Sequence, residues 1–73
     1  MMAETIGQRL KTARKAKDMT QKKLAKASGV PAVCISTYER GLRDPAMFTA
    51  ICLADTLGVS LDWLAGRSEE GGV

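Results

Sequence analysis

Apolar residues recur at helical intervals along most of this chain, and nowhere do they alternate as in a half-buried strand. Ile6, Leu10 and Ala13 fall on one stripe with Arg14 beside them, while Lys11, Lys15 and Lys17 stay wet; the spacing predicts a helix over 5–17. Thr20 suits an N-cap, its hydroxyl placed to accept from an orphaned amide near Lys22 or Lys23, and predicts a second helix over 21–28 with Leu24 and Ala25 inward. Gly29 closes it, because left-handed backbone is cheapest without a Cβ. A third helix is expected over 31–40, opened by Pro31 where a missing N–H costs nothing, with Ile35 and Tyr38 as its buried edge and Gly41 after it. Pro45 precedes a fourth, over 46–57, whose expected core stripe is Met47, Ala50, Ile51, Ala54 and Leu57, ended by Gly58. Ser60 caps a short fifth helix, Leu61 to Ala65, with Gly66 behind it. The expected fold class is all-α: a compact five-helix bundle over 1–66, followed by a flexible tail or linker over 67–73.

Within this outline the segment 20–41 is the most informative. It predicts two short helices joined by a tight turn at Ser28-Gly29-Val30, with small or apolar residues where the helices cross. That geometry holds a helix out for insertion into the major groove of DNA.

Composition narrows the picture. A chain of 73 residues forms one small domain that buries only about 60% of its unfolded surface. Cys34 and Cys52, 18 positions apart, do not make a disulfide framework and read as reduced thiols. Structural zinc wants four Cys or His ligands, and the chain has no His, so no metal and no cofactor is expected. Cys34 reads as a small packing residue on the flank of the third helix, with a redox switch as the sharper alternative, and Cys52 as filler of the fourth helix. No apolar run approaches a membrane span and no secretion pattern opens the chain, so a cytoplasmic protein is expected. No serine or cysteine has a partnered base, and the carboxylates are scattered, which argues against an enzyme.

The net charge of +3 hides an asymmetry: residues 1–43 carry ten Lys and Arg against three acids, +7, and residues 44–73 one Arg against five acids, −4. Such a split suits a positive face aimed at a polyanion, although a lysine-rich solvated surface accounts for the charge equally well.

The ordered set Met19-Thr20-Gln21, Leu24-Ala25, Gly29-Val30, Ile35-Ser36, Tyr38-Glu39-Arg40-Gly41, Pro45 and Leu57 to Leu64 resembles the Cro/CI-type, XRE-like helix-turn-helix family of bacterial and phage repressors. The likeness covers residues 5–66 and implies a lambda-repressor-like DNA-binding domain. It implies an ion pair between Arg14 and Glu39 that fixes the third helix against the first, and phosphate contacts from Thr20 and Gln21 at the start of the second helix. The base-facing positions it implies are Pro31, Ala32, Val33, Ser36 and Thr37, with Arg40 and Arg43 on phosphates and Lys22 and Lys26 as further backbone contacts.

The chain departs from the family pattern in that third helix. Pro31, Ala32 and Val33 stand where glutamine, arginine, lysine or asparagine is common, and none makes the bidentate bonds that mark guanine or adenine. Recognition through thymine methyls, waters and DNA shape is expected instead, with Ser36 and Thr37 each able to give one adaptable hydrogen bond. Pro31 also replaces the common Ser or Thr cap, which allows the helix start to shift by a residue.

Because one such domain reads few base pairs, the resemblance implies a homodimer on a palindromic operator, with Leu61, Trp63 and Leu64 of the last helix at the interface and Trp63 half exposed there; the alternative is that these side chains, Leu61 and Leu64 above all, close the core of the monomer. Two functional classes follow: a DNA-binding transcriptional regulator, most simply a repressor, or an antitoxin-like or accessory protein-interaction module with weak DNA binding. Whether the chain is a whole regulator or the DNA-binding part of a longer one is left open by the sequence.

Overall fold

The structure is a computed structural model and describes residues 4–73. Its regular elements are helices throughout: α1 (Ile6–Ala16), α2 (Gln21–Ser28), α3 (Ala32–Glu39), α4 (Met47–Leu57) and α5 (Leu61–Leu64). Each lies within the stretch that the spacing predicts, and most boundaries have a local cause.

Thr5 caps α1 in a reciprocal box: its hydroxyl accepts from the Gln8 amide, and the Gln8 side chain accepts from the Thr5 amide at 2.7 Å. Thr20 caps α2 through the Lys23 amide, and Ser60 caps α5 through the Trp63 amide, each at 3.0 Å. Gly29, at φ +79°, turns the chain out of α2 in left-handed backbone, where a side chain would strain. Pro31 is extended, at φ −57° and ψ 141°, and has no side-chain acceptor to offer; helix α3 therefore begins at Ala32, while the Pro31 carbonyl accepts from Cys34 and Ile35. Pro31 thus stands at the cap position itself rather than in the first turn of α3, and the helix start is not displaced by the missing Ser or Thr.

The core is one cluster in which Leu10, Ala13, Leu24, Ile35, Leu53, Leu57 and Leu64 are essentially sealed from solvent. It lies where α1 crosses α3 and where α4 backs α2 and α5. Three expectations need correction. Met47 is 74% exposed and Ile51 is at the surface; α4 instead buries Ala50, Leu53, Ala54 and Leu57. Almost every side chain of α4 is apolar or small, so two overlapping stripes satisfy the helical period and only packing chooses between them. Cys52 is exposed rather than filler, whereas Cys34 is half buried against the core.

The third correction concerns α5. Trp63 is 6% exposed and Leu64 fully buried within a single chain, so neither offers interface surface; Leu61 alone of the three remains half exposed. The cause is partly long-range. Arg9 of α1, itself 5% exposed, stacks on the indole with its guanidinium carbon 4.9 Å from the ring centroid. Gly72 also lies against the indole, and Ser68 and Glu69 accept from the same arginine.

Candidate nucleic-acid interface

Helix α3 is held from behind and left open in front. Ile35 plugs it into the core, with Tyr38 and Cys34 packed alongside. Gly7 of α1 permits the closest approach: a Cβ there would collide with the Tyr38 carbonyl, so the two helices cross with backbone nearly against backbone. Neither Gly7 nor Arg9 stands out in the sequence as a constrained position, because each constraint is imposed by residues tens of positions away.

At this same C-terminal end α3 is also pinned electrostatically. Arg14 Nε donates to Glu39 Oε2 at 2.7 Å and Arg14 Nη2 to Glu39 Oε1 at 2.9 Å, a two-pronged fork. The side chains are 10% and 3% exposed. Arg14 Nη1 reaches the Met19 carbonyl at 2.8 Å, which fixes the turn between α1 and α2 to the same fork. Gln21 Nε2 joins at 3.2 Å by donating to Glu39 Oε1. The start of α2 and the end of α3 thus share one carboxylate, a link that residue spacing alone does not reveal. Hydrogen bonding to Glu39, with its negative charge, raises the Arg14 pKa against the opposing effect of burial.

The front of α3 faces solvent. Pro31 is exposed and Val33 is 72% exposed, while Ala32, Ser36 and Thr37 are partly accessible. The Thr37 hydroxyl donates back to the Val33 carbonyl at 2.8 Å, so its proton is taken within α3 while its oxygen can still accept. Val33, Thr37 and Arg43 line a shallow groove of about 170 Å³ with Cys34 and Tyr38 at its floor. Arg40 and Arg43 are exposed at the end of α3 and in the loop after it, and Lys22 and Lys26 are exposed one turn apart on α2. Thr20 and Gln21 open α2, whose first amides have no partner inside the helix.

The arrangement is a protruding helix with an apolar and hydroxyl-bearing front, flanked by cationic side chains and by the positive end of a second helix. Among the described residues there is no cluster of three or more metal-ligating side chains. No helix there is long and apolar enough to cross a membrane.

A protein-family model described as helix-turn-helix matches residues 10–64, from the buried face of α1 to the end of α5. The chain belongs to this family, in its Cro/CI-type, XRE-like form. It is 38% identical over 65 residues to the HTH-type transcriptional regulator ImmR of Bacillus subtilis (strain 168), an alignment covering 89% of this chain and 51% of ImmR. The chain therefore spans about half the length of that relative.

Among solved structures, the P22 c2 repressor in complex with a synthetic operator superposes with a TM-score of 0.83 and 31% identity, over 89% of this chain and 98% of that one. The biofilm master regulator SinR in complex with DNA superposes with a TM-score of 0.79 and 34% identity, over 82% and 97% respectively. The five-helix, lambda-repressor-like architecture expected from the sequence is that of these family members.

Proposed function

We propose that this domain is a sequence-specific DNA-binding transcriptional regulator of the cytoplasm, a repressor, that places α3 in the major groove of a palindromic operator. The observation that carries this reading is the open front of α3, with Pro31, Ala32, Val33, Ser36 and Thr37 accessible between the α2 N-terminus and Arg40 and Arg43. Thr20 and Gln21 hold one phosphate at the start of α2, where amides and dipole favour an anion. Gln21, steadied by Glu39, is presented to it in a set rotamer. Arg40 and Arg43 hold phosphates on the far side of α3. Val33 supplies apolar contact to thymine methyls, and Ser36 and Thr37 adapt to the neighbouring base edges directly or through water. No catalytic step belongs to this reading.

Two copies act together on the operator. With Trp63 and Leu64 sealed inside the monomer, the contact is assigned to Leu61 and the exposed Met47. They share a groove with Ile6, Pro45 and Ala65 on the side of α4 and α5.

The apolar front of α3 favours one competing reading, a protein-interaction module. Selection of bound duplexes from a random pool separates the two. A regulator enriches a palindrome whose half-sites lie about one helical turn apart. An interaction module enriches nothing and shows no steep loss of affinity with salt.

A further inference from the structure

The last residues do not leave the fold at Gly66. The Arg67 amide still donates to the Asp62 carbonyl at 2.8 Å, and the chain then turns back across the end of the bundle. Arg9 Nη1 donates to the Ser68 carbonyl at 3.3 Å and to the Trp63 carbonyl at 3.0 Å, while Nη2 donates to Glu69 Oε2 at 2.7 Å. The Ser60 amide donates to the Gly71 carbonyl at 2.7 Å, and the Ser60 hydroxyl to the Glu70 carbonyl at 3.3 Å.

Two glycines make this approach possible. A Cβ on Gly71 would meet the Ser60 side chain, and one on Gly72 would overlap the Trp63 indole. Gly71 also sits at φ +81°, in left-handed backbone. The stretch Ser68-Glu69-Glu70-Gly71-Gly72 thus has a specific seat made of Arg9, Ser60 and Trp63.

The seat is built to need an occupant. The buried Arg9 guanidinium has Glu69 as its one hydrogen-bonded carboxylate among the described residues; Glu4 lies 3.6 Å from Nε, which has no hydrogen-bond partner there. A buried cation without its anion is costly. Removing residues 68–72 would take away the hydrogen-bonded carboxylate of Arg9, leaving the longer pair with Glu4, and would uncover the indole where Gly72 lies against it.

We propose that residues 68–72 form a C-terminal latch, an acidic glycine-rich strap that closes over Trp63 and Arg9 and can open to expose them. The seat recognises a carboxylate two residues ahead of a pair of glycines, and the chain fills it with its own. An open latch presents a cation stacked on an indole, a surface suited to an acidic peptide segment.

Trp63 is the only tryptophan of the chain, so its fluorescence reads the latch directly. In the full chain, Gly72→Val is expected to at least double the acrylamide quenching constant and to shift emission to the red, with helical circular dichroism retained. Glu69→Gln shifts both in the same direction and by less. Quenching and emission of Gly72→Val equal to those of the native protein overturn the latch. Hydrogen exchange in the unsubstituted chain tests it without a variant. The Ser60 amide is expected to be protected at least tenfold more than the exposed amides at the start of α2, and its exchange at their rate overturns the proposal equally.

Discussion

Arg14 and Glu39, 25 positions apart, meet in a two-pronged ion pair that joins the first helix to the end of the third. The same Glu39 accepts from Gln21, so the orientation of α3 and the N-terminal end of α2 depend on one buried carboxylate. Arg14→Met strands that carboxylate and is expected to cost about 3 kcal/mol. In a domain of this size the loss lowers the melting temperature by roughly 12–24 °C, read by circular dichroism. Glu39→Gln keeps hydrogen-bonding capacity and costs less. An unchanged melting temperature in Arg14→Met removes the pair from the account.

The pH dependence of this pair has a defined sign. Arg14 is held above its ordinary pKa by Glu39, so its contribution is fully present below that ordinary value. It is lost only as pH rises through the raised one. The gap in melting temperature between the native protein and Arg14→Met is therefore expected to stay constant from about pH 7 to about pH 10.

Gly7 gives a second handle on the same geometry. Gly7→Ala pushes a methyl against the Tyr38 carbonyl, a backbone atom that cannot rotate away. Overpacking of this kind costs about 1–3 kcal/mol. It also tilts α3 away from α1, so DNA affinity is expected to fall more than the stability loss alone explains. Binding measured well below the melting temperature checks this.

How much of this was legible beforehand follows the range of each cause. Thr20, Gly29, Gly58 and Ser60 act on their own backbone neighbours, and the helix ends they mark are where the sequence puts them. The choice of face on α4 was not legible, because Met47 and Ile51 compete with Leu53 on an almost wholly apolar helix and the packing of α2 and α5 decides. Trp63 reads as surface in the sequence because what packs on it, Arg9 and Gly72, is invisible to a local pattern. The front of α3 is faint as a periodic pattern, since Ala32 and Val33 are apolar and outward-facing. Its position is marked in the sequence by the turn at Gly29 and by the family likeness rather than by amphipathicity.

The thymine contact assigned to Val33 can be isolated by a double substitution. Replacing thymine by uracil at the contacted step removes one methyl and is expected to cost the native protein about 0.8 kcal/mol. The same change costs Val33→Ser nothing. Equal losses in both proteins place the methyl elsewhere.

Arg40 and Arg43 are assigned to phosphates, which predicts a signature in salt rather than in sequence. Arg40→Gln lowers the slope of log affinity against log salt by about 0.9 and weakens binding to all duplexes alike. Met47→Lys, at an exposed position, changes stability by less than about 0.5 kcal/mol. If the proposed dimer contact runs through Met47, two copies are expected not to share one operator in this variant, and sedimentation of the complex reads the stoichiometry.

The most direct measurement is a titration of the labelled protein with its selected duplex, following backbone amide resonances. The account predicts that the largest shifts fall on Thr20, Gln21 and residues 31–43, above all Ala32, Val33 and Thr37, and fade as salt rises. Shifts confined to α4 and the residues beyond it, with the α3 amides unmoved, would contradict it.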